Sequence, residues 1–137
     1  VTNVYVPEEL PAGLLRDHLK EHMAGKYPTL TYGLGLPGDW RAEDSPPALV
    51  VYDDSGPLRY PVETRPVLRV AVWTDSLPLS RAIASYALGQ ALSRRAEGFA
   101  NILPGTSVMD ARDSNNGGIV AGFTVRTRIR TTLVVEP

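Results

Sequence analysis

The stretch VLRVAVWTDSLPLSRAIASYALGQAL, residues Val67–Leu92, joins a strand to a helix without a break. In Val67–Thr74, Leu68, Val70 and Val72 alternate with Arg69, Ala71 and Trp73. A period of two puts one set on each face of a sheet. Asp75 or Ser76 can accept hydrogen bonds from the first free amides of a helix, and Pro78 suits its first turn. The helix is predicted to run to about Glu97, with Gly98 ending it. It is rich in small residues (Ala82, Ala84, Ser85, Ala87, Gly89, Ala91), and its larger apolar residues, Leu79, Ile83, Tyr86, Leu88 and Leu92, spread over a wide arc. Such a helix packs closely on a sheet and keeps an apolar side to spare.

Working towards the N-terminus, Ala48–Asp53 (ALVVYD) reads as a short buried strand, followed by turn chemistry in Asp54-Ser55-Gly56-Pro57. Gly56–Pro66 carries Pro57, Pro61 and Pro66, and reads as a loop or an irregular, extended hairpin arm over 54–66. Before it come a strand over Thr29–Leu36 and a loop over Pro37–Pro47. A helix is predicted from Pro11 to about Ala24, because Leu15, Leu19 and Met23 form a stripe at i, i+4 and i+8 that Leu14 widens. Thr2–Val6 reads as a short strand or arm. Towards the C-terminus, a Pro104-Gly105 turn precedes a strand over Thr106–Asp113. Ser114–Gly118 reads as a hairpin turn, and Ile119–Val135 as one long final strand. This order predicts a single α+β domain over residues 1–137, with a mostly antiparallel or mixed sheet of about four to five strands and two helices packed on one face.

Composition agrees with one folded domain. The chain has 137 residues, 43% of them apolar and 21% charged, which suits a globular protein rather than a disordered one. A chain of this length buries roughly 65–70% of its unfolded surface and needs no metal or disulfide to fold. The absence of cysteine excludes a disulfide scaffold, thiolate metal sites and a thiol nucleophile. No apolar run reaches the roughly 18 residues of a membrane helix. VTNVYVPEEL lacks the pattern of a signal peptide, so the expectation is synthesis in a cytoplasm without membrane association. A net charge of −1 excludes a globally basic protein that coats nucleic acid. The charge is uneven, however. The first 66 residues carry six Lys and Arg against ten Asp and Glu; the remainder carries eight Arg against five acids. Such polarity suits contact with copies of itself or with a partner, since arginine is favoured in interface ion pairs.

Three motifs tempt, and the first and last of them fail on chemistry. Gly33-Leu34-Gly35-Leu36-Pro37-Gly38 matches G-x-G-x-x-G, but the dinucleotide motif must open a helix, and Pro37, Asp39 and Pro46-Pro47 forbid one. His18-Leu19-Lys20-Glu21-His22 matches H-x-x-E-H. Its histidines share a helix face and could hold zinc in a small hydrolase, with Glu97 as the remaining acid to complete the site. They also flank the apolar stripe, where boundary histidines belong in any amphipathic helix. Asp110, Asp113, Asn115 and Asn116 beside Gly117 lack the spacing and the late glutamate of a calcium loop. No nucleophile elbow or phosphate loop occurs, so the expectation is a protein with no catalytic residue, metal or cofactor.

The most informative polar feature is the last strand. Arg126, Arg128 and Arg130 recur at i, i+2 and i+4, so they point the same way about 7 Å apart. Phe123, Val125 and Ile129 point into a core. The arginines either pair with cross-strand acids such as Asp110 or Asp113, or present a basic stripe to a nucleic acid or an acidic neighbour.

Taken together, the helix leading to Tyr27-Pro28, the segment PPALVVYDDSG (Pro46–Gly56), the segment Val67–Leu92 and the closing DARDSNNGGIVAGFTVRTRIRTTLV (Asp110–Val134) resemble the tail terminator, or tail-completion, proteins of long-tailed siphovirus-type bacteriophages. The resemblance covers most of the chain in diffuse patterns, without a catalytic motif. It implies a structural virion protein of the tail neck, made in the host cytoplasm. Such a protein forms a homohexameric ring that caps the tail tube, stops its polymerisation and joins the tail to the head connector. Its partners would be copies of itself, the major tail tube protein and the head–tail connector protein, with DNA passing through the lumen without sequence-specific binding. Another neck, connector or tube-like tail protein is the alternative in the same setting. On the ring reading, Arg126, Arg128 and Arg130 face the lumen or an interface. Gly56, Leu58, Arg59, Tyr60, Val62 and Arg65 then form an arm that contacts neighbouring subunits.

Overall fold

A computed structural model describes residues 1–137. Eleven elements follow in order: β1 (Thr2–Val6), α1 (Pro11–Met23), β2 (Thr31–Gly33), β3 (Ala48–Asp53), β4 (Leu58–Arg59), β5 (Glu63–Thr64), β6 (Val67–Thr74), α2 (Leu77–Ser93), β7 (Asn101–Arg112), β8 (Ile119–Arg130) and β9 (Thr132–Glu136). The class is α+β with two helices, but the main sheet has seven strands rather than four to five, and a two-stranded ribbon stands apart from it.

Strand β8 organises the main sheet. It pairs antiparallel with β6 along its first part, with β5 at its end, and with β7 along its other edge. Beyond β6 lies β3, antiparallel, and then β2, parallel. The alternation in β6 has its expected consequence. Leu68, Val70 and Val72 join Phe123, Val125 and Ile129 of β8, and Leu49 and Val51 of β3, in the main core. Both helices cover this face, α1 through Leu15, Leu19 and Met23, and α2 through Ile83, Ala84, Ala87 and Ala91. Small residues on α2 let its backbone approach the sheet closely. Its start is fixed by the Ser76 hydroxyl, which accepts from the Leu79 amide, with Pro78 in the first turn. A buried chain of hydroxyls, Thr74 to Ser80 to the carbonyl of Ile119, ties this start to β8.

The opposite face is covered only in part. The segment between β2 and β3 folds back and lays Trp40 over Ala48, Val50, Ala71 and Trp73. The Trp40 indole N–H donates to the carbonyl of Pro46 at 2.8 Å, so burial leaves no donor unpaired.

Several expected boundaries move. The strand predicted over Thr29–Leu36 shrinks to Thr31–Gly33, because the chain leaves the sheet there to place Trp40. Helix α2 ends at Ser93, four residues early; Arg94 is extended, and the chain turns to bury Ala96 and Phe99, with Gly98 at φ +90°. Pro104-Gly105 is no turn: β7 runs through it as an edge strand with register shifts between Pro104 and Thr106 and between Thr106 and Met109. An edge strand tolerates proline because half its amides face no partner. The single long final strand divides at Thr131. Its amide donates to Val62 and its hydroxyl to Pro61, and β9 leaves the sheet to pair with β1 in a separate two-stranded ribbon.

Candidate interaction surface

Alternation along β8 sends Thr124, Arg126, Arg128 and Arg130 to the face opposite the helices, as the spacing predicts. The three arginines do different things there. Arg128 is half-buried and grips Glu63 of β5 with two bonds, Nε to Oε2 at 2.9 Å and Nη2 to Oε1 at 2.7 Å. Arg65 donates to the same Oε2. Glu63 is 3% exposed, so one nearly buried carboxylate is clamped by two guanidinium groups. Arg128, then Arg65, hold its carboxyl well down, at about 2. In turn the carboxylate raises Arg128 further above neutrality. Arg126 is exposed and donates to the carbonyl of Pro104, with no ion pair. Arg130 is exposed and makes no ion pair.

The acids expected to neutralise this stripe lie elsewhere. Asp110 pairs with Arg81 of α2 on the helix side. Asp113 accepts from the Trp73 indole at 3.2 Å and from Asn116 in the β7–β8 turn. Residues 110 and 121 stand opposite each other, and Ala121 is in the main core, so Asp110 lies on the wrong face to meet the arginines. Sequence reading missed Glu63, although it is the one acid between Asp54 and Asp75.

Residues of the proposed arm form a hairpin, β4 and β5, docked on the end of β8. Arg65 belongs to the clamp, and its amide donates to Pro57. Gly56 packs directly beneath the backbone of Arg65 and Pro66, where no Cβ would fit. Leu58, Arg59, Tyr60 and Val62 are exposed. The hairpin is therefore bolted down through Glu63 and Arg65 and presents Leu58, Tyr60 and Val62, with Arg59 beside them.

Between β6, β8 and β7 the open face sinks into a hollow of about 330 Å³, floored at Gly122 and bordered by Arg69, Ala71, Met109, Val120 and Thr124. Small residues at Ala71 and Gly122 create it. Arg69 lies over the Tyr52 ring at 4.3 Å and pairs with Asp54, so its charge is met within the chain.

The remaining motifs are structural turns and a helix edge. Gly33–Gly38 leads into the Trp40 segment and opens no helix. His18 is buried; its Nε2 lies 3.3 Å from the carbonyl of Gln90, and its ring meets His22 edge-on with centroids 4.8 Å apart. Burial lowers the His18 pKa. Glu21 lies beside His22, and no cluster of three or more His, Cys, Asp or Glu forms around the pair. No helix is long and apolar enough to cross a membrane.

The arrangement is that of a small α+β domain with one face sealed by helices and the other half-open, bearing unpaired arginines and flanked by apolar β appendages. The chain matches no protein-family model and no curated protein.

Proposed function

We propose that this protein is a structural subunit of a bacteriophage virion, a ring-forming tail terminator without catalytic activity. In this role it caps the tail tube, stops its polymerisation and joins the tail to the head connector, with DNA passing through the ring. The observation that carries the reading is the uneven finish of the surface. Half of the large apolar side chains that stay exposed lie on two small β appendages: Leu58, Tyr60 and Val62 on the hairpin, and Val6, Leu133, Val134 and Val135 on the ribbon. Apolar groups gathered in this way mark contact surfaces. A basic stripe with excess arginine beside them suits the passage of a polyanion without sequence readout.

A tube-like subunit is the neighbouring reading, and the free edge of β7 favours it, since a long unpaired strand can template extension. Pro104, Gly105 and the two register shifts interrupt that edge. This is how natural sheets block continued pairing, and it supports the terminator over the tube subunit.

The test is to polymerise a tail tube protein from the same virus and add this chain in substoichiometric amounts. A terminator halts growth and decorates filament ends in negative stain. Incorporation along the filament would replace the reading with a tube subunit. Absence of binding to filaments and to head–tail connectors would overturn it.

A further inference from the structure

We infer that the β1–β9 ribbon of one copy seats on the open, arginine-bearing face of a second copy. The inference rests on the ring reading above and names the joint.

The ribbon needs a cover. Its strands pair only with each other, from Thr2 opposite Glu136 to Val6 opposite Thr132. Val4 faces Val134 on one side, and Tyr5 faces Leu133 on the other, so each side carries an apolar pair at its centre. A two-stranded ribbon is marginal in water unless a further layer packs on it. The cover is missing within the subunit, where β9 is exposed throughout.

The open face needs an acidic partner. Arg126 and Arg130 lack ion pairs, and the Glu63 clamp sets two guanidinium groups against one carboxylate. Met109, 69% exposed, and Leu103 border the stripe, and no ribbon residue lines the hollow beside them. The ribbon and its root supply the opposite sign. Across residues 1–10 and 131–137 the charged side chains are Glu8, Glu9 and Glu136, with no lysine or arginine. An apolar ribbon edged by acids therefore matches an open face that combines an apolar hollow, whose Arg69 and Asp110 are already paired within the chain, with the unpaired bases Arg126 and Arg130 further along β8. Both patches are on every copy and they differ from each other, so the contact is heterologous and propagates around a ring. Charge complementarity of this kind fixes partner and register.

The experiment uses two charge-reversed chains. One carries Glu9→Lys and Glu136→Lys on the ribbon side; the other carries Arg126→Glu and Arg130→Glu on the face. All four positions are exposed, and circular dichroism with tryptophan emission checks that both chains fold. Native mass is followed by light scattering across a concentration series. The wild type is expected to associate. Each variant alone should associate at least about tenfold more weakly, a loss consistent with removed charge complementarity. An equimolar mixture should regain assembly, because the reversed ribbon meets the reversed face. Variants that assemble as the wild type does, or a mixture that stays dissociated, would overturn the inference. So would assembly unchanged in the face variant with loss of duplex DNA binding, which would give the arginines to nucleic acid. A wild-type chain that stays monomeric throughout also overturns it, while filament capping still decides the terminator reading separately.

Discussion

Replacing Trp40 with alanine tests whether the segment between β2 and β3 seals half of the sheet. Trp40 is 4% exposed, and it covers Ala48, Val50, Ala71 and Trp73 while its indole donates to Pro46. Truncating a buried tryptophan removes its transfer free energy and leaves a cavity, together about 3–5 kcal/mol. The lost hydrogen bond belongs within that figure, at about 1 kcal/mol. Trp40→Phe keeps a six-membered ring in the site while it removes the donor and leaves a smaller void, so it should cost less than alanine, about 1–2 kcal/mol. For a chain of this size, each kcal/mol moves the melting temperature by roughly 3–5 °C, so the alanine variant should melt about 10–20 °C lower. The chain has two tryptophans, and both lie in this cluster. Emission from Trp73 therefore reports its own exposure in the variant, and should shift to longer wavelength. A loss below about 1 kcal/mol in urea melts, with Trp73 emission unshifted, would show that the segment does not cover the sheet.

Three further perturbations probe the clamp, the helix and the hollow. Glu63→Gln should leave Arg65 and Arg128 facing each other uncompensated and loosen the hairpin, seen as faster exchange of the Thr131 amide, which donates to Val62; unchanged exchange would show that the clamp does not hold it. Because Glu63 falls from 4.5 to about 2 on folding, its stabilisation is complete above 4.5 and lost as pH falls from there through about 2, a dependence that the glutamine variant should lack. His18 has its pKa lowered from 6.5 by burial, so the unfolded chain binds a proton first and stability should fall as pH drops below 6.5; urea melts of His18→Gln should be flatter over that range. Gly122→Ala would place a Cβ 2.6 Å from the carbonyl oxygen of Val70, and should cost about 1–3 kcal/mol by forcing β6 and β8 apart; a neutral result in urea melts would contradict that close approach.

Much of the architecture was legible because its determinants are local. The alternation in Val67–Thr74 and the Ser76–Pro78 helix start are read within a few residues, and they placed β6 and the start of α2, as Phe123, Val125 and Ile129 placed the core face of β8. The same holds for the stripe Leu15, Leu19, Met23 in α1. What escaped depends on distant partners. Pro104-Gly105 carries the chemistry of a turn, yet β8 supplies a ladder on one side only, and an edge strand absorbs both residues as irregularities. Nothing in the alternation of Ile129–Val135 marks the break at Thr131; it is imposed by Val62 and by β1, well over a hundred residues away from β9 in sequence. In the candidate surface, the common orientation of Arg126, Arg128 and Arg130 follows from spacing. Their different fates do not, because Glu63 reaches Arg128 only through the docking of the hairpin on β8.

The position of β8 along the chain has a consequence for synthesis. Strands β5, β6 and β7 all pair with it, yet it follows them, separated from β7 by one short turn. On the ribosome, β6 and β7 must wait for residues 119–130 to emerge before the sheet can close. The hairpin cannot dock, and the ribbon cannot zip, until that strand and the residues just after it are in place. A nascent or truncated chain thus lacks both appendages in their ordered form. The order of events is written into the connectivity: the exposed apolar surfaces of the hairpin and the ribbon take shape only when the last strands are in place, so an unfinished chain does not present them in ordered form.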